Sequence, residues 1–271
     1  LVTALSVGEI HPEPVDVAGH WAELETAEDL ARFVLDTKAN TLKRLESIVT
    51  ESTIAPQYNF TVDEFRDDPA GVADRIKDTF DRPVIVRSST LAEDGWDHSN
   101  AGAFESVLDV SPDDPASVRG AIEEVISSYD DEPQNQVLVQ PMVENVAASG
   151  VVMTRSVEYA SPYYIINYDA ETGSTVTVTD GSGGDIETVV VRKNAMERPT
   201  ELGDPALCLP SLIEAVTELE NVVGHDGLDV EFAVTEGGEV YVLQVRPMTV
   251  DPGERTVDDE MLSREIEQAQ D

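Results

Sequence analysis

Residues 227–249 admit few folds: Gly-Leu-Asp-Val-Glu-Phe-Ala-Val-Thr-Glu-Gly-Gly-Glu-Val-Tyr-Val-Leu-Gln-Val-Arg-Pro-Met-Thr. Two β-rich arms, Leu228–Val234 and Val240–Val245, flank the turn Glu236-Gly237-Gly238-Glu239. Gly-Gly between such arms predicts a tight hairpin, because glycine accepts the positive φ that hairpin turns need. Side chains alternate between the faces of a strand, so Asp229 with Glu231, and Gln244 with Arg246, each point one way. The other face of each arm is apolar. Two carboxylates, an amide and a guanidinium on one surface supply hard oxygen ligands for Mg²⁺ and a planar fork for a phosphate. The same residues also describe a solvent-facing strand pair with one cross-strand salt bridge. This stretch alone leaves both readings open.

At 271 residues, 41% of them hydrophobic, the chain can bury one large core or two small ones. No run approaches the roughly 18 apolar residues of a membrane span. Residues 1–20 lack the basic start and apolar stretch of a secretory signal, so a cytoplasmic location is expected. The sequence starts at Leu1 rather than Met, as a processed or cut chain would. Its single cysteine, Cys208, excludes an internal disulfide and a Cys-rich zinc site.

Charge is the dominant compositional fact, with 55 acids against 17 bases and a net of −38. Only four of the bases are lysines: Lys38, Lys43, Lys77 and Lys193. The acids are dispersed, which argues against a disordered acidic tail and against a nucleic-acid binder, which needs a basic face. Dispersed acids with little lysine fit a protein from a high-salt cytoplasm, where repulsion is screened within about 3 Å at 1 M. A basic protein partner is the alternative source of such a surface. On the first reading the charge speaks of solvent more than of function.

Along the chain, Glu23–Val49 has helical spacing after a capped start at Thr26, with a break near Asp36-Thr37-Lys38. A lysine at the start of the second helical piece could reach a phosphate; spacing alone favours an ordinary solvated lysine. Ile54–Val62 is strand-like, and Thr61 caps a helix expected to run through Phe80. Pro83–Val86 reads as a buried strand delivering Arg87-Ser88-Ser89-Thr90, a fork donor followed by three hydroxyls. Such punctuation suits an anion, and the small, polar loop Leu91–Ala103 suits a phosphate cover; a surface loop without a ligand has the same composition. Glu105–Val110 reads as a strand and Ser117–Tyr129 as a helix. Val137–Val143 is strand interrupted by Pro141, as at an edge or hinge. Ser149–Thr154 and Pro162–Tyr168 alternate as strands, and Gly173–Val191 reads as a hairpin or meander. Its glycines lack dinucleotide or P-loop spacing. Leu209–Val223 is a helix, and beyond Pro252 an acidic tail is expected.

Three stretches, in order, resemble one family. They are Val84-Ile-Val-Arg-Ser-Ser-Thr-Leu-Ala-Glu-Asp94 with Ala101-Gly102; Val139-Gln-Pro-Met-Val143 with Ala148-Ser-Gly150; and Asp229-Val-Glu-Phe232 with Leu243-Gln-Val-Arg-Pro247. Together they resemble the ATP-binding domain of phosphoenolpyruvate synthase and pyruvate phosphate dikinase, nearest to the variants found beside sugar and surface-polysaccharide genes. Lys38-Ala-Asn-Thr-Leu42 is similar, more loosely, to that domain's early lysine motif.

The resemblance implies an α/β (α+β) ATP-grasp fold with two lobes clamping Mg-ATP, one about residues 1–135 and the other about 136–250, followed by a linker at 251–271. Carried over by position, it implies Lys38 and Arg87 on phosphates and Gly102 and Ser106 lining the loop over them. Gln140, Met142 and Val143 would stand beside adenine, and Glu231 and Gln244 would hold Mg²⁺. Arg246 would steady the transferring phosphoryl group, so Arg246 and Arg87 are the catalytic candidates. The cofactors implied are ATP and Mg²⁺. The implied partner is a domain or subunit whose histidine takes the phosphate, with no nucleic acid and no membrane.

Departures from the family pattern matter too. None of His11, His20, His98 and His225 lies in a Gly-rich phospho-histidine segment, so transfer would need a partner. Asn167-Tyr168-Asp169 leading into Gly173-Ser174-Thr175 replaces the family's Gly-rich, Glu-containing stretch, and Ser106 replaces its usual Thr. A degenerate, non-catalytic nucleotide-binding or interaction module is the reading from another class. A carboxylate–amine ligase of the same fold is the third, disfavoured because the motifs match the dikinase type.

Overall fold

The computed structural model describes residues 25–90, 106–128, 132–157, 159–172, 186–193 and 202–248. Thr26 and Asp29 form a reciprocal capping box that starts helix α1, Ala27–Val34. The expected break follows, and α2, Lys38–Leu45, restarts with Thr37 as its cap. Arg44 pins this corner, donating to Asp36 at 2.7 Å and to the Phe33 carbonyl at 2.5 Å. Strand β1 is Tyr58–Thr61.

Thr61 caps the next helix as expected, with Glu64 completing the box. That helix does not reach Phe80 unbroken. It divides into α3, Val62–Asp67, and α4, Pro69–Thr79. Proline restricts the residue before it, so Asp68 leaves the helical region at φ −143° and caps α4 instead. Next come β2, Val84–Ser89; β3, Ser106–Val110; α5, Pro115–Ser127; and β4, Gln136–Pro141. The remaining elements are β5, Val146–Met153; β6, Tyr163–Asp169; β7, Glu187–Arg192; α6, Leu209–Val223; β8, Leu228–Thr235; and β9, Val240–Pro247.

The strands form two antiparallel sheets, ordered β1-β4-β2-β3 and β7-β6-β5-β8-β9, so the class is mixed α/β. β4 is an interior strand, not the edge its proline suggested. Pro141 is its last residue, where a missing N–H breaks no ladder. Gly150, in the Ala148-Ser-Gly150 motif, has a packing reason: a Cβ there would lie 2.1 Å from the Asn167 carbonyl oxygen on β6.

Two cores result. Phe65, Ile76 and Ile122 cover the first sheet through Val84, Val86, Val137 and Val139. Leu212, Leu219 and Val223 of α6 cover the second sheet, and Ala31, Val34, Leu42 and Leu45 from α1 and α2 join them. The early helices therefore pack with the late sheet, while β4 completes the early one. Alternation turns Val84 and Val86 toward α4 and α5, and sends Arg87, with Leu138 opposite it on β4, to the side where α2 and the second sheet lie. Among the described residues, no helix is long and apolar enough to cross a membrane.

A fold carrying −38 should respond to screening. Raising KCl from about 0.1 M to 1 M shortens the Debye length from about 10 Å to 3 Å. The melting temperature followed by circular dichroism should rise, by roughly 2–4 °C for each kcal/mol of repulsion removed. A salt-independent melt would contradict the high-salt reading of the composition.

Candidate functional site

The hairpin places the chemistry. β8 sends Leu228, Val230 and Phe232 into the core and leaves Asp229 and Glu231 on the opposite face. A regular β9 would put Gln244 and Arg246 on the same face as Val240 and Val242, which are core residues. A bulge prevents this. Glu231 pairs with Gln244 but Phe232 pairs with Val242, so Leu243 is an extra residue on β9. The extra residue flips the alternation, turning Val245 inward and Gln244 and Arg246 toward the acids. Asp229 then lies opposite Arg246, and Glu231 opposite Gln244.

Two ion pairs fill this face. Arg246 Nε and Nη2 donate to Asp229 Oδ2 at 2.9 and 2.5 Å. From the first sheet, Arg87 Nη2 donates to Glu231 Oε2 at 2.9 Å, and Nη1 donates to the carbonyl of the bulged Leu243, also at 2.9 Å. The Arg87 and Glu231 side chains are only 11% and 17% exposed, and those of Arg246 and Asp229 only 12% and 16%. Burial pushes the Asp229 carboxyl above its usual range; Arg246 pulls it down and Glu231 pushes it further up. Asp229 Oδ1 and Arg87 Nε are buried without hydrogen-bond partners. Asp229 and Arg87 thus each keep one unused polar atom beside a strong ion-pair partner. Such an arrangement can exchange partners with a ligand carrying both charges.

Helix α2 contacts both β2 and β9. Its first residue, Lys38, is buried, and its second, Ala39, donates its amide to Ser89 Oγ at 2.9 Å. Thr37 Oγ1 donates to Gln136 Oε1 at 2.8 Å, which ties the helix start to β4. The lysine is therefore not solvated, as spacing alone favoured, but docked beside the hydroxyl-rich end of β2. Ser106 stands opposite Arg87 in the β2–β3 ladder. Gly102 and the loop around it lie outside the described residues.

The end of β4 and the connection after it are tied to neighbouring segments. Gln140 is buried and its amide donates to the Ala55 carbonyl at 3.3 Å, while the Met142 amide donates to the Pro83 carbonyl at 3.0 Å. Val143 follows in the same connection. The altered stretch after β6 serves its own turn: Asp169 accepts from the amides of Glu171 and Thr172 at 2.7 and 3.0 Å.

Structure thus brings together Arg87, Glu231, Gln244 and Arg246, with Ser106 and Lys38 at the flanks. It adds Asp229, which the hairpin pattern exposed but the candidate set omitted. The spacing Val240-x-Val242-x-x-Val245 is the signal that announced the bulge. The clasps of Thr37 with Gln136 and of Ala39 with Ser89 had no local signal, because the partners are 99 and 50 residues apart.

No protein-family model matches the chain. Over 263 residues it is 24% identical to the uncharacterized phosphotransferase YvkC of Bacillus subtilis (strain 168), covering 81% of this chain. The chain spans only 30% of that relative's length. Among solved structures it is similar to D-alanine-D-alanine ligase from Helicobacter pylori, at 13% identity and a TM-score of 0.47 over 79% of this chain and 54% of the ligase. It is also similar to a RimK domain ATP-grasp protein from Sphaerobacter thermophilus, at 16% identity and a TM-score of 0.43 over 89% of this chain and 67% of that one.

Proposed function

We propose that the chain is the ATP-grasp, Mg-ATP-binding domain of a phosphotransferase of the phosphoenolpyruvate synthase and pyruvate phosphate dikinase type. It would donate phosphate to a histidine on a separate domain or partner. The observation that carries this reading is the pairing of Arg87 with Glu231 between the two sheets, beside that of Arg246 with Asp229 across the hairpin. The quartet is neutral as a set. A nucleotide arriving with its metal brings both charges, so the arginines can pass to phosphate and the carboxylates to the cation without stranding a buried charge. Similarity to a bacterial protein called a phosphotransferase supports the same direction.

Among the described residues, no group of three or more His, Cys, Asp or Glu side chains could hold a metal. That fits Mg²⁺ delivered by a nucleotide, which needs only one or two protein carboxylates beside the phosphates. Glu231 and Gln244 would hold it, with the unpartnered Oδ1 of Asp229 in reserve. When bound, the metal neutralises charge on the phosphate oxygens. The protein's own part is alignment and charge: Arg87 and Lys38 position the phosphates, Ser106 offers a hydroxyl beside Arg87, and Arg246 faces the transferring group. Strand β2 sets the length of the site. From Pro83, which meets Met142, to Arg87 is about 13 Å at roughly 3.3 Å per residue, comparable with an extended nucleoside triphosphate.

Calorimetric titration of Mg-ATP into the chain in molar KCl tests the reading, with a Glu231→Ala, Gln244→Ala double variant alongside. Micromolar binding should fall at least about 100-fold in the variant, or about 2.7 kcal/mol. If the intact fold binds no nucleotide, the ion pairs are a staple between sheets and the degenerate module is the better description.

A further inference from the structure

A second charged hollow lies on the α6 side of the second sheet, behind the ion-pair quartet. Its volume is about 590 Å³, within the range of small-molecule sites. Tyr164 and Val191 line it, and both belong to the core that Leu228 and Val230 enter from β8. Asp229 and Glu231 point to the other face, so this is not an extension of the first site.

Three cations converge on the hollow: Arg155, Arg192 and Lys193. They come from a chain with only 17 lysines and arginines against 55 acids. Two carboxylates oppose them. Lys193 pairs with Glu220, their side chains 10% and 11% exposed, and its Nζ lies 4.9 Å from the centre of the Tyr164 ring. Glu220 also accepts from the Tyr164 hydroxyl at 2.8 Å. Arg155 pairs with Asp226 and donates to the Ala160 carbonyl at 2.6 Å. Among the described lining residues, three cations stand against two acids, in a protein whose net charge is −38.

We propose that this cavity binds a small organic anion, through a carboxylate or phosphate group held by Arg155, Arg192 and Lys193. Guanidinium forks suit both groups. The apolar wall of Pro162, Val191 and Ile213 leaves room for a short carbon skeleton. The site is independent of the nucleotide reading, and its test contains no nucleotide.

Inorganic phosphate and malonate are titrated separately into the chain at constant ionic strength, with heat and melting temperature recorded. One saturable site is expected, with affinity reduced at least tenfold in Arg192→Gln. Arg155→Gln, on a different part of the wall, should lose binding by a similar factor, so a folding defect in either variant leaves the other decisive. Binding of phosphate alone identifies a phosphorylated ligand, and binding of malonate alone a carboxylate; either supports the site. Absence of saturable binding by both anions overturns it. So does binding that survives Arg192→Gln and Arg155→Gln but disappears in Arg87→Gln, which would place the anion at the hairpin.

Discussion

Arg246→Ala is expected to lower phosphoryl transfer at least about a thousandfold, because an arginine facing the transferring group stabilises charge that develops only in the transition state. Nucleotide affinity should stay within roughly tenfold, about 1.4 kcal/mol, since other groups hold the ground-state phosphates. The structure adds a cost in stability. Arg246 donates two hydrogen bonds to the buried Asp229, and removing one partner of a buried pair costs about 3–5 kcal/mol. Replacing both partners separates the effects. Asp229→Asn with Arg246→Met leaves no unpaired charge at this position and should recover most of the melting temperature. On the proposed function, transfer of labelled phosphate from ATP to an acceptor histidine should remain abolished. A double variant that transfers phosphate at the wild-type rate would remove Arg246 from the chemistry.

Arg87 carries the second large effect, because it serves two bodies at once. It belongs to β2, yet its guanidinium holds Glu231 and the Leu243 carbonyl of the hairpin. Arg87→Ala should weaken Mg-ATP binding at least about 100-fold, or about 2.7 kcal/mol. The substitution leaves Glu231 without its cation and, on the proposed function, removes the fork that would hold a phosphate. Arg87→Lys keeps the charge but loses the planar geometry, so a loss of about tenfold is expected. Calorimetry on both variants reads the difference. Equal binding by wild type and Arg87→Lys would mean the fork geometry contributes nothing. Wild-type binding by Arg87→Ala would reduce Arg87 to a tie between sheets.

The hollow behind the second sheet shows how sequence distance hides a site. Lys193, just past β7, meets Glu220 of α6, and Arg155 meets Asp226 across 71 residues. No window of sequence contains these pairs, and Lys193 drew notice only as one of four lysines.

What the sequence determined by itself is local. Gly237-Gly238 between β-rich arms set the hairpin, Thr26 and Thr61 set helix starts, and Pro210 near a first turn marked α6. These follow from backbone sterics and hydrogen bonds within a few residues, which the chain carries wherever it folds. The Asp68-Pro69 pair obeyed the same rules, and its helix break was there to be read. Other features needed the fold. Arg87 finds Glu231 only because two sheets face each other, and Lys38 is buried only because α2 packs with a sheet formed more than 100 residues later. The side on which Gln244 and Arg246 fall turned on one extra residue at Leu243. Alternation states which side chains share a face, but burial decides which face, and burial belongs to the assembled chain.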